Sequence, residues 1–125
     1  MIMMPFALNG KMTELAAQRF RLLGEPMRLR ILQALEAGER PVHEIVAVLD
    51  AGQPNVSKHL RALCQGGLLN SRREGLNIYY RIADPMVFKL CQLVCHSAEQ
   101  HARSQLAQFS APSAKRGRSR ARVRR

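Results

Sequence analysis

Gln53-Pro54-Asn55-Val56-Ser57-Lys58-His59-Leu60-Arg61 is the stretch on which the reading of this chain turns. Val56, Leu60 and Leu63 recur at i, i+4 and i+7, one face of a helix, while Ser57, Lys58 and Arg61 fall on the opposite side. Pro54 suits a first helical turn, where a missing N–H costs nothing, and Gly66-Gly67 marks the end. No acidic residue occurs from Gln53 to Gln65. A helix of this kind fits the major groove of DNA, and the residues of its N-terminal turn reach base edges. Gln53 and Asn55 can pair bidentately with adenine, and Ser57 suits a base or a phosphate. Lys58 and Arg61 can neutralise phosphates. Pro54 and His59 complete the candidate surface, His59 as a packed or phosphate-contacting residue.

Working outward, Pro41 opens a helix with Val42, Ile45, Val46 and Leu49 as its stripe, and Asp50-Ala51-Gly52 is a short turn. Two short helices joined in this way read as a helix-turn-helix. Before them, Pro26 begins a helix with Met27, Ile31, Leu32 and Leu35 inward and Gly38 as its stop. Residues 12–23 carry Ala16, Phe20 and Leu23 on one face, and residues 1–11 read as a loose arm.

Beyond the recognition helix the period changes to two. Ile78, Tyr80 and Ile82 alternate with Asn77, Tyr79 and Arg81, and Glu74-Gly75 separates this strand from Leu68–Arg73. The expectation is a β-hairpin wing with Arg72 and Arg73 on one arm, Arg81 on the other and Asn77 near the tip. Asp84-Pro85 then opens a helix striped with Val87, Leu90, Cys91, Val94, Cys95, Ala98, Ala102 and Leu106. The fold class expected is mainly α with a small β-hairpin wing, in a domain over residues 12–109. Residues 110–125 read as a disordered basic tail.

Charge agrees with a polyanionic partner. Twenty Lys and Arg stand against 9 acidic residues, a net charge of +11 over 125 residues. Seven of these charges (Lys115, Arg116, Arg118, Arg120, Arg122, Arg124 and Arg125) follow residue 110, leaving four for the rest. Binding driven by such charge is salt-sensitive, but charge alone does not separate DNA from RNA or an acidic membrane surface. Three cysteines, an odd number, make no disulfide framework, and no stretch approaches the length of a membrane helix. A cytoplasmic protein is expected. No phosphate-binding glycine loop, nucleophile elbow or carboxylate cluster points to catalysis, so no enzyme and no cofactor are expected.

Three segments carry a resemblance to a known family. Gly24-Glu25-Pro26-Met27-Arg28-Leu29-Arg30-Ile31-Leu32 resembles a "D-P-x-R-L-x-I-L" segment. Gln53-Pro54-Asn55-Val56-Ser57-Lys58-His59-Leu60 resembles a recognition-helix signature "S-Q-x-x-V-S-x-H-L". Arg72-Arg73-Glu74-Gly75, followed by Tyr79-Tyr80-Arg81, is similar to the wing. The family is the ArsR/SmtB group of winged helix-turn-helix repressors, and the resemblance covers roughly residues 14–108. It implies a homodimer that pairs its first and last helices, binds an inverted repeat in double-stranded DNA, and is released by a ligand or a chemical modification. The dimer has support of its own, because the long apolar stripe of the last helix exceeds what one small chain covers.

The family's metal sites do not transfer. One type uses Cys-Val-Cys where this chain has Pro41-Val42-His43. The other uses Asp-x-His where this chain has Asp84-Pro85-Met86, with Ser97 and Gln100 near the later ligand positions. Cys91 and Cys95, four apart on one helical face, remain as candidate sensing residues for an oxidant, reactive sulfur or a thiophilic metalloid. Cys64 is the third candidate. The competing reading takes Cys91 and Cys95 as small hydrophobes within the stripe. A winged-helix module that binds protein, or binds nucleic acid without sequence preference, is the alternative to the repressor.

Overall fold

The computed structural model describes residues 9–110, so the basic segment from residue 111 onward lies outside the described residues, as do residues 1–8. The elements run α1 (Gly10–Leu23), α2 (Pro26–Ala34), β1 (Arg40–Pro41), α3 (Val42–Leu49), α4 (Gln53–Gln65), β2 (Leu69–Glu74), β3 (Asn77–Ile82) and α5 (Met86–Ser110). Two compact units divide at Phe88 and Lys89.

Local chemistry accounts for most boundaries. The Asn9 side chain accepts from the Met12 amide at 2.8 Å, so α1 starts at Gly10, before the expected residue 12. Glu25 caps α2 through the Arg28 amide at 3.1 Å, with Pro26 in the first turn. Asp50 closes α3 in the left-handed conformation, φ 51°. The Asp84 Oδ1 atom accepts from the Met86 amide at 3.0 Å and opens α5.

The core of the first unit is aliphatic. Leu23 comes from α1, Ile31, Leu32 and Leu35 from α2 and its cap, Ile45 and Leu49 from α3, and Val56, Leu60 and Leu63 from α4. Leu68, Leu69 and Val87 complete it. Each such side chain stabilises the fold by about 1.5–3 kcal/mol relative to leaving it in water. Helix α2 packs on α3 and α4, and α4 packs on β2, so the recognition helix rests on three elements. On α1 the expected stripe is only partly buried: Leu23 is inside, but Phe20 is 62% exposed.

A third strand was not anticipated. Pro41, expected to open α3, instead pairs with Tyr79 while Arg40 pairs with Tyr80, giving the antiparallel order β1-β3-β2. Proline tolerates this edge position, and its extended backbone then serves as the cap of α3, which starts at Val42. The hairpin is in register from Leu69↔Ile82 to Glu74↔Asn77. Its two-residue turn places Gly75 at φ 64° in the first central position, the arrangement of a II′ turn, with Leu76 at the tip 97% exposed.

Helix α5 is one run of 25 residues. Within it Leu93 and Val94 are exposed, and with Ser97, Ala98 and His101 they line a shallow apolar groove. No helix among the described residues is long and apolar enough to cross a membrane.

Candidate nucleic-acid interface

Helix α4 presents two faces of opposite character. Val56, Leu60 and Leu63 are fully buried. Gln53, Pro54, Asn55, Lys58 and Arg61 are exposed, and Ser57 is half-buried at the edge. Among the described residues no carboxylate lies within ion-pair distance of Lys58 or Arg61, so both charges are available to a phosphate.

His59 does not belong to that surface. It is 6% exposed, and its Nδ1 atom accepts from the Arg28 Nε–H at 3.1 Å. A neutral ring that accepts at Nδ1 carries its proton on Nε2, which lies 3.9 Å from the Glu25 carboxylate. Arg28 also donates to the Leu22 carbonyl at 3.2 Å. This network ties the C-terminal end of α1 and the N-terminal turn of α2 to the middle of α4, and so fixes how the recognition helix sits. The expected DNA contact at His59 is therefore corrected to an internal tether: three residues after Val56 and next to Leu60, its side chain falls at the edge of the buried stripe of α4.

The wing separates its residues by strand parity. Asn70, Arg72 and Glu74 share a face with Asn77, Tyr79 and Arg81, while Leu69, Ser71 and Arg73 share the other with Ile78, Tyr80 and Ile82. Arg73 and Arg81 thus lie on opposite faces, both exposed, and Arg81 pairs with Asn70 toward the base rather than the tip. Asn77 is exposed beside the turn.

Arg72 is not a free cation. Its Nε and Nη2 atoms donate to the Glu39 carboxylate at 2.9 and 2.7 Å, and its Nη1 atom donates to Glu74 at 2.8 Å. Its guanidinium lies 4.6 Å from the centroid of the Tyr79 ring. These bonds hold Glu39 below the ordinary carboxylate value, chiefly through the Arg72 hydrogen bonds, and push Arg72 above its already high one. Arg72, expected to meet a phosphate, is therefore engaged on the exposed face of the hairpin by two carboxylates of the chain itself. Sequence reasoning missed Glu39 because its partner is 33 residues away. Glu25 left a signal, since Gly24 and Pro26 bracket it as a helix cap.

The cysteines differ in setting. Cys64, at the end of α4, is half-buried beside Ser71 and Tyr80; burial pushes its thiol up, against a lowering hydrogen bond from Ser71. Burial also raises the Cys91 thiol, with the neighbouring Cys95 adding to it, and Cys95 is exposed. No cluster of three or more His, Cys, Asp or Glu suited to a metal occurs among the described residues. Asp84, at the start of α5, is engaged by Arg19 at 3.5 Å.

Comparison with known proteins identifies this architecture. The model of the bacterial regulatory proteins of the arsR family matches residues 25–71, from the Glu25 cap into β2. The chain is 39% identical over 87 residues to the probable mercury resistance operon repressor of Streptomyces lividans, covering 69% of this chain and 70% of that one. Among solved structures, the antimony-specific transcriptional repressor AntR superposes with a TM-score of 0.71 at 28% identity, over 79% of this chain and 90% of its own. A homodimeric winged helix-turn-helix DNA-binding domain from Mycobacterium bovis, a possible ArsR-family regulator, superposes with a TM-score of 0.67 at 34% identity, over 80% and 93%. With its helix-turn-helix in α3 and α4 and its wing in β2 and β3, the chain belongs to the ArsR/SmtB family of winged helix-turn-helix transcriptional regulators.

Proposed function

We propose that this protein is a homodimeric repressor that binds an inverted-repeat operator in double-stranded DNA through α4 and the β2–β3 wing. The observation that carries this reading is the outer face of α4. Gln53, Asn55, Lys58 and Arg61 are exposed there, no acid interrupts the helix, and the opposite face is locked to α2 and α3. Protein-docking helices present aromatic or aliphatic anchors on such a face, and this one has none. Dimerisation is supported by the exposed apolar residues within α1 (Met12, Leu15 and Phe20) and within α5 (Leu93 and Val94), and by the homodimeric state of the Mycobacterium bovis domain. A two-fold dimer sets its recognition helices about 34–36 Å apart, one turn of DNA.

The inducer we propose acts at Cys91 and Cys95, in the reducing cytoplasm that suits three free thiols. One turn apart on α5, they offer two sulfur ligands to a soft ion, and a second copy doubles the number. A thiophilic ion binds such a pair as thiolates, displacing their protons. The mercury and antimony repressors among the similar proteins favour the same class.

Selection from a random-sequence duplex library tests the DNA reading. We expect recovery of an inverted repeat bound by two copies, with operator preference retained by a version ending at residue 110. A monomer with no sequence preference at moderate salt refutes it.

A further inference from the structure

The position of Glu39 gives Arg72 a different task from that of its neighbours. Strand β1 supports the wing over only two residue pairs, Arg40↔Tyr80 and Pro41↔Tyr79. From Ile78 to the tip the wing is a two-stranded ribbon, which by itself is marginal in water. Glu39 immediately precedes β1, on one edge of the sheet, and Arg72 stands on β2, at the other edge. To join them the guanidinium passes over Tyr79 of the middle strand, directly opposite Arg72 in register. A two-point bond to Glu39, a third bond to Glu74 and the Tyr79 ring together fix the guanidinium plane.

We propose that Arg72 is a positioning residue, a strap that crosses all three strands to Glu39 and sets the direction in which the hairpin tip is presented to DNA, without itself neutralising a phosphate. The proposal rests on the reading that α4 and the wing bind duplex DNA. Its consequence is a division of labour within the wing: Arg73, Arg81 and Asn77 face solvent without a carboxylate in ion-pair distance among the described residues, and they make the contacts that Arg72 aims.

The two roles predict opposite signs for Glu39→Gln. If Arg72 were a phosphate ligand held back by Glu39, removing that carboxylate would free a cation and tighten binding. A strap loses its anchor, and binding weakens. Arg72→Lys discriminates again, because lysine keeps the charge but cannot make a planar two-point bond across the sheet.

The test uses the full chain and a duplex recovered by selection from a random-sequence library. We expect Glu39→Gln and Arg72→Lys each to weaken binding about 3- to 10-fold with an unchanged salt slope, and the double variant to be no weaker than either. Backbone protection is expected to fade at the flanks touched by the wing and to persist at the centre of each half-site. In the free protein, amide exchange in β2 and β3 accelerates while that of α4 does not, a readout that needs no DNA. Tighter binding by Glu39→Gln, near-normal binding by Arg72→Lys, or wing amides that exchange as in the wild type would overturn the strap. Absence of sequence preference in the wild type, with wing exchange still accelerated by both substitutions, refutes the DNA reading and leaves the strap standing.

Discussion

Lys58 and Asn55 stand close together on the outer face of α4, yet their removal should be felt in different ways. Lys58 is exposed, and no carboxylate among the described residues comes within ion-pair distance, so its charge is undiminished when DNA approaches. Each phosphate neutralised contributes about 0.9 to the slope of log affinity against log salt. Two subunits on one operator make two such contacts, and Lys58→Ala should lower the slope by about 1.8. Between about 50 and 200 mM salt the wild type then loses about 12-fold more affinity than the variant, and the loss is similar on operator and random DNA. Asn55 carries no charge, so Asn55→Ala should leave the slope alone. It should instead relax the preference at one base pair per half-site by about 1–3 kcal/mol, or about 5- to 150-fold. Fluorescence anisotropy with operator, single-base variants and a scrambled duplex, over a salt series, measures both. An unchanged slope for Lys58→Ala, or an equal loss on every sequence for Asn55→Ala, refutes the assignment of phosphate and base contacts to this face.

Three further outcomes follow from the interior and the thiols. His59→Ala leaves a cavity under α4 and strips the Arg28 Nε–H of its acceptor, so urea unfolding should show a loss of about 2–4 kcal/mol; a change near zero removes the tether. The Glu39 carboxyl is held below its ordinary 4.5 in the folded state, so its contribution is complete above that pH and disappears as pH falls through the lower folded value. The difference in wing amide exchange between wild type and Glu39→Gln should therefore close on acidification below about pH 4.5, and a gap that persists far below it contradicts the ion pair. Cys91→Ser or Cys95→Ser should abolish release of DNA by arsenite or mercuric ion while Cys64→Ser leaves it intact; release that survives the double substitution places the inducer elsewhere.

The extent to which this protein is legible in its sequence follows from the range of the interactions concerned. The stripes of α2, α3 and α4, the prolines in first turns, the Asp84 cap and the hairpin around Gly75 are decided by residues within a few positions of one another. They could be read before any packing was known, and with them the helix-turn-helix and its wing. What the sequence left open depends on partners brought together by the fold. Arg28 meets His59 across 31 residues, and Arg72 meets Glu39 across 33. The first buries His59, and the second engages the exposed Arg72 with a carboxylate, which residue type and local spacing could not show. The two-residue strand at Arg40–Pro41 exists only because β3 offers it an edge. Periodicity likewise shows which side chains share a face but not what covers it, and so Phe20, on a good helical stripe, stands 62% exposed. Local spacing determined the elements and the kind of surface they form; which cations are already engaged by a carboxylate was decided by the tertiary structure, because a paired arginine and one left for a phosphate look alike in the chain.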